Sequence, residues 1–169
     1  LGGWQLLVSL VSEEIHLTQN MTISRLSRKT EAKIRAVQAQ AAWAIGTAVK
    51  NTAEFNPFAV EKLKIGDSTG TTAIDLLIDT FCRDHKDPHT WEVRTLLGKS
   101  LFGIGSLLRG NRIAQIHVSQ GDDPGRLGEK LRQLSLDQFT SANTKLIQKM
   151  LALESDLVSG IHLHADDSM

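Results

Sequence analysis

Two stretches decide the fold: Gln40–Asn51, QAAWAIGTAVKN, and Lys99–Gly110, KSLFGIGSLLRG. Aligned without gaps, they pair Trp43 with Phe102, Ile45 with Ile104, Gly46 with Gly105, Thr47 with Ser106, Val49 with Leu108 and Lys50 with Arg109. Each pair matches in size and polarity. Around the first copy, Ile34, Val37, Ala41, Ile45 and Ala48 recur at steps of three and four; Leu97, Leu101, Ile104 and Leu108 do so around the second. That spacing places each set on one face of a helix. Glycine inside a helix costs about 1 kcal/mol relative to alanine. Gly46 and Gly105 at equivalent places therefore point to a shared reason, the close approach of a neighbouring helix.

Outward from these helices, shorter apolar runs fall at Leu6–Val11, Val60–Leu63, Ala73–Phe81 and Leu146–Leu157. Almost no stretch alternates apolar and polar residues as a half-buried strand would. Asn56-Pro57, Asp87-Pro88 and Asp123-Pro124 read as helix starts, since Asn or Asp caps the first turn and proline fits the next position. Gly66, Gly110 and Gly121 read as helix stops. Leu1–Val11 precedes the first long helix and Ile74–Cys82 the second. The order short, medium, long helix, with a weak third copy at Lys145–Ser159, predicts an all-α, armadillo-like helical solenoid. The copies lie 59 residues apart, so polar loop insertions are expected at Glu13–Thr30, Arg83–His89 and Gln120–Arg126. The expected organisation is one repeat domain over residues 1–160, with repeats at 1–52, 53–112 and 113–160 and a polar tail at 161–169. The chain reads as a piece of something longer.

A hydrophobic fraction of 41% supports a real core. Nineteen basic and nineteen acidic residues balance to zero net charge, which argues against a general nucleic-acid binder. No apolar stretch approaches the roughly 18–20 residues needed to span a bilayer, so no membrane insertion is expected. Cys82 is the single cysteine; it cannot form an intramolecular disulfide and reads as a small buried hydrophobe. His85, His89 and His117 stand apart from one another, and His162-Leu163-His164 with Asp166 and Asp167 lacks the companions of a zinc site. No metal is expected. Gly66–Gly70, GDSTG, lacks the Gly-Lys-Ser/Thr ending of a phosphate loop and reads as the break between two helices. Asp122 and Asp123 with Arg126 read as a loop and cap. No nucleophile–base pair or paired carboxylates stand out, so neither an enzyme nor a cofactor is expected. Asn20-Met21-Thr22 is a candidate glycosylation site in an exposed insertion.

The string Ala41–Asn51, AAWAIGTAVKN, resembles the long third helix of an armadillo repeat. More narrowly, it resembles that helix in the nucleotide exchange factors of the seventy-kilodalton heat-shock chaperones. Lys99–Gln115, KSLFGIGSLLRGNRIAQ, is similar to the next repeat of that family, and Leu1–Leu7, LGGWQLL, to its glycine-led phrase before a leucine-rich helix. The phrases look closest to the ER-lumenal, SIL-type co-chaperones of BiP. The Glu13–Thr30 and Gly121–Pro124 insertions and the degenerate third copy depart from the family pattern.

The resemblance implies a binding protein that clasps the nucleotide-binding domain of the chaperone, displaces a lobe and hastens ADP release. Physically this is a population shift toward the open, weakly ADP-binding state. It further implies residence in the ER lumen, with the cytoplasm and a cytosolic exchange factor as the alternative. In an armadillo repeat the long helix lines the concave groove. Trp43, Thr47 and Lys50 share one helix face beside the Ile45 and Ala48 stripe, and Phe102, Ser106 and Arg109 repeat that row. The two rows are expected to face the partner, with Asn51 and Asn111 at the edge. Another armadillo adaptor is the competing reading. Peptide-clamping receptors pair Trp with Asn on successive long helices, and Thr47 and Ser106 occupy that Asn position here.

Overall fold

The two repeated stretches form helices that pack directly on each other. The computed structural model describes residues 2–20, 28–51, 53–65, 68–85, 87–121 and 125–136. The chain divides into two compact units, Leu1–Arg109 and Gly110–Met169. In the first unit, α1 spans Gly2–Asn20, α2 Arg28–Asn51, α3 Ala73–Cys82 and α4 Trp91–Leu108. A 3-10 helix, Ala53–Ala59, and a two-stranded antiparallel hairpin, β1 Leu63–Ile65 and β2 Ser68–Thr71, join α2 to α3. The described residues are mostly helical, as expected of an all-α chain.

Contacts run from α1 to α2, α3 to α4, α1 to α3 and α2 to α4. The neighbour order is therefore α1, α2, α4, α3. Successive hairpins folded into a simple bundle would place α2 beside α3. Here one helix pair lies beside the other with like helices adjacent.

The α2–α4 contact is close because both helices are bare where they meet. A Cβ on Gly46 would lie 2.9 Å from Phe102 Cδ1 and Cε1 and 3.0 Å from Gly103 Cα. A Cβ on Gly103 would lie 3.0 Å from the Ala42 carbonyl oxygen and 3.0 Å from Leu77 Cδ1. Around this crossing the core is continuous. Ala39, Ala42, Ile45 and Val49 are buried on α2, and Val93, Leu96, Leu97, Leu101, Ile104, Leu107 and Leu108 on α4. From α3 come Ile74, Leu77 and Phe81. Interior packing at near-crystalline density leaves no slack for an added methyl at such a contact.

One buried polar group ties α1 to α2. Gln38 is fully buried, and its Nε2 donates to the Val11 carbonyl oxygen at 2.9 Å. Val8 and Val11 are themselves fully buried on α1. Near the start of α1, the Trp4 ring stacks on Phe55 at 6.2 Å and meets Phe58 at 6.0 Å, which fixes the 3-10 helix against α1. α3 starts at a reciprocal cap. Thr72 Oγ1 accepts from the Asp75 backbone N–H at 3.2 Å and donates to Asp75 Oδ2 at 2.6 Å. These two bonds satisfy a first-turn donor and orient its neighbour.

Several expectations are corrected. Glu13–Asn20 is not a loop, because α1 continues through it; its polar residues include good helix formers, and polarity alone does not break a helix. Val60–Leu63 is not helical: Val60 sits in a bend and Leu63 opens β1. Of Gly66–Gly70, residues 68–70 belong to β2 of a hairpin in which Ile65 pairs with Ser68 and Lys64 with Thr69, while Gly66 and Asp67 lie outside the described residues. Strands of three and four residues are too short for alternation to be visible. Asn56-Pro57 lies inside the 3-10 helix, not at a helix start. Asp87-Pro88 is a turn: the Asp87 carbonyl accepts from the Thr90 N–H and hydroxyl at 3.1 Å each, and α4 begins at Trp91. Gly110 does follow α4, with φ +67°, where a side chain would be strained. Asp123-Pro124, Leu146–Leu157 and the third repeat copy lie outside the described residues.

In the second unit, α5 spans Arg112–Ser119 and α6 Arg126–Leu136. Leu127, Leu131 and Leu134 are buried at helical spacing on α6. Gly121 follows the α5 cap residue Gln120.

The crossing makes a stability prediction. Gly46→Ala and Gly103→Ala are each expected to destabilise by about 1–3 kcal/mol in urea unfolding, despite a helix-propensity gain of about 1 kcal/mol. Gly3, with nothing within 4 Å of an added Cβ, is the control: Gly3→Ala should be neutral or stabilising. Thr72→Ala is expected to cost about 1–2 kcal/mol, and Thr72→Ser to recover most of it.

Candidate protein-interaction surface

The residues expected to face a partner separate into three groups. Lys50, in the last turn of α2, and Arg109, just past α4, are both exposed. They stand at equivalent places in the two copies. The Arg109 N–H donates to the Gly105 carbonyl at 3.1 Å, so its backbone closes the helix while its side chain extends outward. Thr47 and Ser106 are half-buried. The Thr47 hydroxyl donates to the Trp43 carbonyl at 2.9 Å, back-bonded within its own helix.

The two aromatics are not alike. Trp43 is 48% exposed, whereas Phe102 is half-buried with its ring over the bare backbone of Gly46. Phe102 is thus an interhelical contact, and the expected pair of outward aromatics has one outward member. The sequence could not separate them, because matched residues on two helices meet different neighbours once the helices pack.

Asn111 is corrected as an edge residue. It is buried at 4% exposure and its Oδ1 accepts from the Ala114 N–H at 3.2 Å, capping α5. Its carboxamide is committed to that helix start. Asn51 ends α2, and Asn20 ends α1; their side chains lie outside those described.

Cys82 is half-buried at the end of α3 and in no disulfide. His85 and His117 are half-buried and His89 is exposed. Among the described residues, no three His, Cys, Asp or Glu side chains stand close enough to hold a metal ion. None of their helices is long and apolar enough to cross a membrane. Exposed groups among the described residues include the Trp43 indole, the Lys50 and Arg109 cations at matching helix ends, and the apolar residues Leu6, Val37, Trp91, Ile113 and Ile116. Indole and guanidinium groups are the types that dominate binding energy at protein interfaces.

One structural residue was missed in the sequence: Gly103, which makes the second half of the α2–α4 crossing and pairs with Ala44 inside the two aligned stretches. Val37, expected in the apolar stripe, instead stands out of the core on α2 at 42% exposure.

No family model matches the chain, and neither a curated protein nor a solved structure matches it significantly.

Asn111→Ala is expected to lower stability by about 1 kcal/mol through the lost cap, with Asn111→Asp or Asn111→Ser retaining most of it. Chemical denaturation followed by circular dichroism measures the difference.

Proposed function

We propose that this chain is a nucleotide exchange factor for a seventy-kilodalton heat-shock chaperone of the ER lumen. In this reading an armadillo-like solenoid grips the chaperone's nucleotide-binding domain and favours its open state. The observation that carries the reading is the repeated phrase of the long helices, AAWAIGTAVKN and KSLFGIGSLLRG, each ending in an exposed cation. The neighbour order of the four helices is in keeping with stacked repeats, since a pair displaced beside its predecessor brings like helices together.

Lys50 and Arg109 would form the polar contacts. A chaperone lobe bound through them is held in the position that leaves ADP loosely coordinated. Because coupling is reciprocal, ADP must weaken the binding of the exchange factor by the same factor that the exchange factor weakens ADP. A coupling of about 1–3 kcal/mol corresponds to roughly 5–150-fold in affinity. No chemical step on the nucleotide is involved; Phe102 supports the helix pair from within, and Asn111 supports α5.

The test is release of a fluorescent ADP analogue from an ER-lumenal chaperone, chased with excess ATP, with and without the protein. Acceleration of at least about fivefold is expected from that coupling range. Lys50→Glu with Arg109→Glu should bring the rate back toward the unassisted value while leaving the circular dichroism spectrum unchanged. No acceleration with either ER or cytosolic chaperones rules the function out. Full acceleration by the doubly charge-reversed variant rules out this pair as the contact.

A further inference from the structure

The charges of this chain balance overall but are unevenly placed. The stretches Arg28–Asn51 and Trp91–Arg109, which form α2 and α4, carry eight cations and two acids; the rest of the chain carries eleven and seventeen. Among the described residues of these two stretches every exposed charge is positive: Arg28, Lys29, Lys33, Lys50 and Arg109. Both acids, Glu31 and Glu92, are half-buried, and Glu31 already faces Arg35 at 3.9 Å. The exposed acids described in the first unit stand on other segments, at Glu54, Glu61, Asp84 and Asp87. Helix stability does not account for the excess, since Arg28 and Lys29 open α2, where the helix dipole disfavours cations.

The charges of α2 are also ordered along its length. Lys33, Ala36, Gln40, Trp43, Thr47 and Lys50 follow one another at steps of three and four, which sets them on one side of the helix. All are exposed except Thr47, which is half-buried. A cation therefore stands at each end of the strip, and the Trp43 indole, 48% exposed, stands between them. At a rise of about 1.5 Å per residue the two lysines are roughly 25 Å apart. Between Arg35 and Lys50 the helix carries no charge. That pattern suits a ligand with its anions at the ends and an apolar group in the middle. A nucleic acid, with a phosphate at every nucleotide, would leave its middle charges unmatched.

We propose that this strip of α2 binds an extended protein segment of a partner, acidic at both ends and apolar at its centre. Lys33 and Lys50 take the two acidic ends, and the Trp43 indole takes the apolar side chain between them. Exposed charge gives such a contact its selectivity and speed of encounter, while the indole supplies most of the affinity. The proposal shares with the chaperone reading the assignment of Lys50 to a partner contact, and adds the chemistry of what is bound and the role of Lys33. It does not require the partner to be a chaperone.

The probe is a fluorescein-labelled peptide of about eight residues, Glu-Glu-Ser-Leu-Leu-Ser-Glu-Glu, which spans roughly 27 Å when extended. Its binding to the full chain is followed by fluorescence anisotropy. Lys33→Glu with Lys50→Glu should weaken binding at least about fivefold, and Trp43→Ala should weaken it severalfold. A peptide with lysines in place of the glutamates should prefer the doubly reversed variant to the native chain, a rescue that a misfolded variant would not give. No binding of the acidic peptide, or equal binding by the reversed variant, overturns the proposal. Equally tight binding of a single-stranded oligonucleotide also overturns it, in favour of a general affinity for polyanions. Changing Glu154, Asp156, Asp166 and Asp167 together to the matching amides tests an internal occupant: peptide binding severalfold tighter than native would make the strip a contact of the chain with itself and end the proposal. Failure here is distinct from failure of the exchange function. Faster ADP release without peptide binding overturns only the acidic segment, and peptide binding without faster release upholds it while ruling out the exchange factor.

Discussion

The first unit depends on one contact: the crossing of α2 and α4 at Gly46, Phe102 and Gly103. Two glycines remove the side chains that would hold the helices apart, and the Phe102 ring fills the remaining space against Gly46. The approach is tight enough that the Ala42 carbonyl lies where a Gly103 side chain would begin. Leu77 of α3 closes the same place from another side. Three helices are thus placed by residues lacking side chains, which explains why helix-weakening glycine is used there at all.

Contacts elsewhere set the remaining elements against this crossing. Gln38 connects α2 to the Val11 carbonyl of α1 through a fully buried hydrogen bond. A buried donor of that kind left without a partner incurs its full desolvation penalty, so the bond fixes the level at which α1 lies along α2. The Trp4, Phe55 and Phe58 rings then hold the 3-10 helix, and Thr72 with Asp75 restarts the chain as α3. The Thr72–Asp75 cap is local, whereas the Gln38–Val11 bond and the Trp4 ring contacts join elements distant in sequence.

Phe102 and Trp43 show how repetition divides roles. Matched in sequence, one is an internal contact and the other a surface group. Lys50 and Arg109 stay exposed in both copies although the residues before them, Val49 and Leu108, are buried, because each cation falls off the packed face of its helix. The functional proposal therefore rests on the cations, and the aromatic pair describes how the helices stack.

Much was legible beforehand. The helical character of α2, α3 and α4 followed from apolar spacing, and Gly46 was legible as a point of close approach, although the second bare residue is Gly103 and not its matched partner Gly105. Glycine after α4 was readable because few other residues adopt its positive φ. The sequence alone determined these because they depend on local geometry and on composition repeated at fixed spacing. The hairpin was hidden by its brevity, and the helical continuation of α1 by its polarity. Only the tertiary structure decided that Gly103 is the second bare point, that Phe102 is covered while Trp43 is open, and that Asn111 is a buried cap. Those facts depend on which helix lies alongside which, and matched residues on two helices meet different neighbours. Burial belongs to the arrangement of the chain in space, and no single segment carries it.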